Sequence, residues 1–364
     1  MIIKNNIYLQ IARSALFCLV LQFFNSCTTG DKGYVFKYSN EQPETAIRSQ
    51  SMLFFKERLE KESDGKIKVD LFFSGVLGNE RELMDLVSTG ALQGTRGGFF
   101  NDVNPKFNLL TLPFLVSNWD EASNLVNSSL MKTINAGSRT NGFHVPATGI
   151  SQGFRAHTNN KKPILTPRDF KGLKMRIPGL GGTVLSKLGV STVSLPGGQI
   201  YENLVSGAID ATEWVGPYND YFMKFYEAAK YYYTGGMHEP GGGLAFGMNA
   251  DWFNGLSNWE KAVIEAACNE EHAAQFEETV ALNGQYLNKL VEEQGVQVRA
   301  FNDDVWDAMG EAAAEVFEET RAHSDLATKV DDAFQSALRE YGAAMAAFEV
   351  TYVNQRNRVL GITE

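Results

Sequence analysis

Lys174-Met175-Arg176-Ile177-Pro178-Gly179-Leu180-Gly181-Gly182 opens the stretch that decides the fold. Lys174 to Ile177 reads as a strand and Gly182 to Leu188 as a helix. Ser191 to Leu195 is the next strand, and Gln199 to Ser206 the next helix, stopped by Gly207 at the position where a left-handed residue closes a helix. Ile209 to Trp214 is a third strand, which runs into Val215-Gly216-Pro217-Tyr218-Asn219-Asp220. The same rhythm stands earlier in the chain. Ile67, Val69, Leu71 and Phe73 alternate as in a strand, Ser74 to Asn79 turn, and Asn79 caps a helix ending at Gly90. Strand, loop and helix in repeated succession predict an α/β fold.

Outward from these blocks, residues 30 to 38 are a spacer leading into a first strand, and Met52, Phe55 and Leu59 mark one face of a helix stopped at Asp64-Gly65. Leu109 to Phe114 reads as a buried segment, 118 to 136 as a helix and His144 to Ile150 as a strand. Thr166-Pro167-Arg168-Asp169 has the cap, proline and first-turn acid of a helix start. Ser257-Asn258-Trp259-Glu260 is a capping box, and the chain stays mostly helical to Gly295. Residues 303 to 357 are helical again, with a break near Ser324-Asp325. These last helices exceed the needs of a small α/β lobe and suit a packing strap or a dimer arm. The 364 residues suffice for two domains.

The formal net charge of -10 argues against a nucleic-acid partner, which calls for a basic surface. It does not exclude an anionic ligand, because a pocket can carry a local field opposite to the global one. Lys4 and Arg13 precede an apolar run, Ser14 to Phe24, of signal-peptide length and too short to span a bilayer comfortably. Asn25-Ser26-Cys27 follows like a lipobox, although Phe24 stands where leucine is usual. The expectation is a signal peptide over 1–26, with either lipidation of Cys27 or ordinary export and cleavage nearby. Cys268, in an alanine-rich helix, is left as a buried small hydrophobe, since one thiol builds no disulfide framework.

The candidate chemistry lies at strand ends. Arg176, before Pro178-Gly179, can fork two hydrogen bonds onto a carboxylate, or simply pair with an acid. Glu213 sits among apolar neighbours on an interior strand, where a carboxylate needs a cation or donors; a salt bridge to Lys or Arg would equally serve. Glu239 lies in the loop His238-Glu239-Pro240-Gly241. Two such carboxylates with backbone oxygens suit a hard cation such as sodium or calcium. Trp214 is either a pocket wall or core. No nucleophile is paired with a base, the five histidines lack zinc spacing, and Gly179-Leu180-Gly181-Gly182 does not match the nucleotide-binding glycine patterns.

Met175-Arg176-Ile177-Pro178-Gly179, Leu188-Gly189-Val190, Leu195-Pro196-Gly197-Gly198 and Asp210 through Asp220 together resemble the substrate-binding proteins of tripartite ATP-independent periplasmic (TRAP) transporters. Ser74 to Glu80, Tyr231-Tyr232-Tyr233 and His238 to Gly241 are similar to their α-keto acid and lactate branch. The resemblance covers roughly residues 35 to 300 and is most specific over 172 to 220. It implies a two-lobed periplasmic binding protein fold with a cleft between the lobes, a long connecting helix and extra C-terminal helices. Lobe I would hold 33–151 with about 240–270, lobe II 152–239 with about 271–320 and the connecting helix, and 321–364 the C-terminal helices.

The resemblance further implies that Arg176 clasps the ligand carboxylate. Glu213, the Trp214 carbonyl, Glu239 and a residue of the 150–152 region, Gln152 or else Ser151, would hold the sodium or calcium ion, and that last residue would also touch the ligand. Asn219 joins the ligand set, and Phe99 is the opposite pocket wall. An exchanged C-terminal helix would form a homodimer. Three features depart from the branch. Gly153-Phe154-Arg155 brings an arginine that could meet the ligand in place of the metal and favour a dicarboxylate. Arg96-Gly97-Gly98-Phe99-Phe100 replaces a run of small and aromatic residues, and Gln199 stands where glutamate is usual.

The function expected is an exported, non-enzymatic solute-binding protein. It captures a small 2-oxo or 2-hydroxy carboxylate in the periplasm or cell envelope and passes it to TRAP membrane subunits. Two rivals come from other classes. One is an exported enzyme processing carboxylates with Glu213 and Glu239 as acid and base; the other is a chemosensory ligand-binding subunit.

Overall fold

The computed structural model describes residues 34–40, 44, 46–78, 80–97, 143–151, 157–159, 162–234, 236–237 and 242–362. Val35–Glu364 form one compact unit. Its strands make two sheets. The first has five, in the order β2 (Ile67–Phe72), β1 (Tyr34–Asn40), β3 (Gly94–Gly97), β10 (Gly242–Asn249) and β4 (Phe143–Ser151). The second has six, in the order β11 (Gln297–Arg299), β9 (Tyr231–Tyr233), β5 (His157–Asn159), β8 (Ala211–Glu213), β6 (Lys174–Arg176) and β7 (Ser191–Val193). The chain passes from the first sheet to the second after β4, returns at β10, and leaves again by way of a long helix before β11.

In the first sheet, helix α1 (Ile47–Glu62) follows β1. The spacing of Met52, Phe55 and Leu59 predicts its buried face, and all three are fully buried. Phe55 meets Phe36, Tyr38 and Phe246 ring to ring, which joins α1 to β1 and β10. Asp64 and Gly65 end this segment in left-handed backbone, as expected. Helix α2 (Glu80–Ser88) leads to β3, which runs parallel to β1 and antiparallel to β10.

The second sheet carries the alternation that the sequence predicts. β6 lies between β7 and β8 and is parallel to both. Helix α3 (Gly179–Lys187) joins β6 to β7, and α4 (Gly197–Ser206) joins β7 to β8. Both helices start a few residues earlier than expected, because Pro178 and Pro196 in extended backbone serve as N-caps. Gly207 closes α4 in left-handed backbone at φ 74°. Gly182 lets α3 lie against the end of β6, where a Cβ would stand 2.8 Å from the Ile177 carbonyl oxygen. The helix expected from Thr166-Pro167 is a single 3-10 turn, Pro167–Phe170, closed by its own capping box. Apolar side chains fill both faces of the sheet. Met175, Val184 and Leu185 pack with Met309, Ala313 and Val316, while Ile200, Leu204 and Ile209 pack with Trp214, Val215 and Phe225.

Helix α5 (Pro217–Phe222) follows β8, and α6 (Ala250–Gly255) follows β10. Helix α7 (Asn258–Glu292) then runs 35 residues from the predicted Ser257 capping box, about 50 Å at 1.5 Å per residue. It packs on α1 and β4 of the first sheet and on α5 of the second, so it connects the two. Cys268 is buried within it, as its setting predicts. The C-terminal region is helical, in α8 (Asp303–Arg321), α9 (Asp325–Met345) and α10 (Thr351–Leu360). The break falls at Ser324, whose hydroxyl caps α9. A π-helical segment, Ala346–Val350, joins α9 to α10 and has no signature in the spacing. Among the described residues no helix is long and apolar enough to cross a membrane.

Candidate functional site

β6, β7 and β8 run in one direction, so their carboxyl ends open on the same edge of the sheet. Ligands of open α/β sheets bind at such ends, where helices and loops depart. Arg176 is the last residue of β6 and Glu213 the last of β8. The Arg176 Nη1 donates to the Glu213 carbonyl oxygen at 3.0 Å, and its Nε donates to the Leu195 carbonyl oxygen at 3.3 Å, just past β7. One guanidinium thus bridges all three strand ends. Its plane lies over the Trp214 ring, 5.0 Å from the centroid, a contact worth about 0.5–2 kcal/mol.

Glu213 has no solvent exposure. Its Oε2 stands 3.5 Å from the Arg176 Nη1, beyond the usual hydrogen-bond length. Of the alternatives open in the sequence, the structure therefore contains the arginine pair in a loose form. Trp214, likewise, is both core, packed edge-on to Phe225, and the surface on which Arg176 rests.

After β8 the chain turns at Gly216, with φ 154° and ψ 177°, and Pro217 starts α5 where its missing N–H is not needed. The Tyr218 N–H donates to the Asn283 Oδ1 on α7 at 3.1 Å, and the Tyr218 hydroxyl to Glu278 at 3.0 Å. Asn219 comes next, 1% exposed, with neither its amide oxygen nor its amide nitrogen hydrogen-bonded. Buried amides left in that state cost free energy, which points to an occupant of the site. Asp220 is also buried and accepts from the Gly216 N–H at 3.1 Å and the Tyr232 hydroxyl at 2.7 Å. Burial raises its carboxyl to about 7, against the hydrogen bonds from Tyr232, Gly216 and the Val215 backbone and with Glu213 adding to the rise.

Arg176, Glu213 and Trp214 are thus in mutual contact, and Asn219 lies on the turn that leaves them. Phe99, Gln152, Arg155, Glu239 and Cys27 fall outside the described residues, as do His238, Leu109 to Phe114 and the helix expected over 118–136. Among the described residues no three His, Cys, Asp or Glu side chains gather to hold a metal. The donor chemistry still fits a hard cation: a buried carboxylate at Glu213 and the Asn219 amide oxygen without a partner. The sequence reading missed the supports of this site, Tyr232, Glu278 and Asn283. Asn283 had a signal, a polar side chain within a helix, but nothing local says that it faces α5.

A second polar centre was also missed. Arg96, on β3, is wholly buried, with its Nη2 3.1 Å from the Glu271 Oε1 and 2.6 Å from the Gln275 Oε1, both on α7.

The family model described as "Bacterial extracellular solute-binding protein, family 7" (DctP) matches residues 38–323. The monocarboxylate 2-oxoacid-binding periplasmic protein of Nostoc sp. is 30% identical over 303 residues, 82% of this chain and 82% of that protein. A TRAP transporter solute-binding protein from Bordetella bronchiseptica, a mixed-occupancy dimer with copurified calcium and picolinate, superimposes with a TM-score of 0.83. It is 24% identical and covers 90% of this chain and 98% of its own. A TRAP periplasmic solute-binding protein from Colwellia psychrerythraea with bound calcium and pyruvate gives a TM-score of 0.81 at 25% identity, covering 89% of this chain and 100% of its own.

Proposed function

Because the chain belongs to the family-7 bacterial extracellular solute-binding proteins of TRAP transporters, we propose that it captures a small 2-oxo or 2-hydroxy monocarboxylate of the pyruvate and lactate class, together with calcium or sodium. The family is periplasmic and non-enzymatic, which decides against the carboxylate-processing enzyme. The observation that carries the ligand reading is Arg176. It is held by two backbone carbonyls and a tryptophan ring at the carboxyl ends of three parallel strands, beside a buried carboxylate and an unpaired amide. The guanidinium orients the carboxylate of the ligand. Glu213, the Trp214 carbonyl, Glu239 and Gln152 would hold the cation, which would supply positive charge to offset that of the ligand. Asn219 supplies a further polar contact, and Trp214 with Phe99 excludes water. The protein then delivers the acid, unchanged, to the TRAP membrane subunits, tethered at the envelope where Cys27 is lipidated.

Titration calorimetry with pyruvate, lactate and succinate, before and after treatment with a chelator in sodium-free buffer, tests this reading. Pyruvate is expected to bind the metal-loaded protein, and stripping is expected to weaken it at least about tenfold, since a hard cation removed from a ligand carboxylate leaves charge unbalanced. Added calcium restores affinity. Tight binding of succinate and indifference to chelation would instead assign the cation's place to Arg155. Failure of all three acids would overturn the ligand class.

A second copy of this chain is the proposed partner of the C-terminal helices. No residue of α10 is buried, and Phe348 and Val359 are 74% and 69% exposed, with Tyr352 and Leu360 exposed beside them. Apolar side chains in such numbers on one terminal segment mark an interface. Light scattering is expected to give a dimer for the full chain and a monomer for Phe348→Glu with Val359→Glu. A dimer in both would move the interface elsewhere.

A further inference from the structure

We propose that Asp220 is a positioning residue, which with Tyr232 holds the turn from Trp214 to Asn219 in the form that binds the ligand. The ligand half of this inference rests on the reading above; the structural half does not. The turn is a difficult piece of chain to hold. It leaves a central strand, passes through Gly216 at positive φ, and enters a helix six residues long. A helix of that length is not stable by itself, and its first N–H groups have no partners within it.

The neighbours supply what the helix lacks. The Asp220 carboxylate reaches back four residues to take the Gly216 N–H, and the same carboxylate takes the Tyr232 hydroxyl. Tyr232 is on β9, separated from β8 by β5, so this bond crosses a strand. It fastens the start of α5 to the sheet from one side, while Asn283 fastens the next N–H to α7 from the other. Trp214 stands two residues before the first of the fastened N–H groups and Asn219 one residue after the second, and the Trp214 carbonyl and the Asn219 amide are the two groups whose direction the proposed site needs.

A carboxylate is a costly way to accept two hydrogen bonds in a buried place. Its geometry explains its use. A short side chain with two oxygens on one carbon can take an N–H and an O–H from opposite directions. Asparagine keeps that outline, offering its oxygen to Gly216 and its NH2 to the tyrosine oxygen. Alanine keeps neither contact. The pair therefore separates position from charge.

The test uses the full chain as wild type, Asp220→Ala, Asp220→Asn and Tyr232→Phe. Hydrogen exchange is followed in the peptide spanning 213–222 without ligand, and pyruvate affinity is measured with calcium present. Asp220→Ala is expected to speed exchange at Val215 to Asn219 by about tenfold or more, with the remainder of the second sheet as protected as before, and to weaken pyruvate by a similar factor. Asp220→Asn should bring both back to within a few-fold of wild type, and Tyr232→Phe should fall between.

Wild-type exchange in Asp220→Ala would overturn the proposal. So would faster exchange with unchanged pyruvate affinity, because the turn would then be held without serving the ligand. Should Asp220→Ala fail to fold, Tyr232→Phe removes one fastening alone, and its unaltered exchange and affinity would overturn the proposal equally. If wild type binds no pyruvate, the ligand reading fails at that point. The exchange measurements still decide whether Asp220 holds the turn.

Discussion

Arg176→Ala is expected to weaken binding of a small carboxylate at least about a hundredfold and to lower stability by about 3 kcal/mol. The first effect follows from the proposed ligand contact: a forked guanidinium held by backbone carbonyls offers a carboxylate donors of fixed direction. The second follows from the fold. Arg176 is the cation beside Glu213, which is wholly buried at the end of β8. Without it, the buried Glu213 carboxylate loses the guanidinium beside it.

The two effects can be separated. Arg176→Ala combined with Glu213→Gln removes the stranded charge, and its stability is expected to recover most of the loss while binding stays absent. Arg176→Lys keeps the charge but not the fork, and is expected to fold well and bind poorly. Calorimetry reports the affinities and urea unfolding the stabilities. Binding by Arg176→Ala within a few-fold of wild type would remove this residue from the ligand site. Full stability of that variant would show that Glu213 does not depend on it.

The second large effect is expected where the long helix meets the first sheet. Glu271→Ala should destabilise the protein by about 3–5 kcal/mol, because it leaves the Arg96 guanidinium buried without its carboxylate. Arg96 has no solvent exposure, and its neighbours Ser51, Gln275 and the Phe246 ring carry no charge to replace Glu271. A protein with Arg96, Glu271 and Gln275 all replaced by methionine or leucine of similar volume is expected to be as stable as wild type, or more so, since three polar groups would no longer be desolvated.

That outcome has a functional reading. If the apolar triple variant is stable but binds its ligand more weakly, the buried charges set the seating of α7 rather than its strength of attachment. The helix touches α5 at Tyr218 through Glu278 and Asn283, one and two turns beyond Gln275. A change of seating at β3 would therefore reach the turn that carries Asn219. Unfolding curves and pyruvate titrations of the same variants decide between the two. A Glu271→Ala protein as stable as wild type would show that Arg96 finds other compensation.

Much of this was legible in the chain. The alternation through residues 174 to 214 predicts parallel strands with intervening helices, and β6, α3, β7, α4 and β8 follow it. The signals are local: a cap, a run of apolar residues and a glycine stop each act within one or two turns of helix or one strand. Arg176 and Glu213 could be singled out for the same reason. Each stands at a strand end next to a turn, Arg176 before Pro178-Gly179 and Glu213 among apolar neighbours before Gly216-Pro217. The capping box at Ser257 gave the start of the long helix, and the serine at 324 the break between the two helices that flank it.

Spacing alone left open what each charge meets. Arg176 could have faced solvent; it bridges three strands because β6 lies between β7 and β8 in register. Arg96 and Gln275 are 179 residues apart in the chain and 2.6 Å apart in space. Asp220 and Tyr232 meet only because β9 and β8 flank the same strand. Secondary structure rests on short-range sterics and apolar periodicity, which a string of residues carries in full. Charge pairing rests on distances of a few ångströms between segments brought together by folding, and no local pattern encodes those.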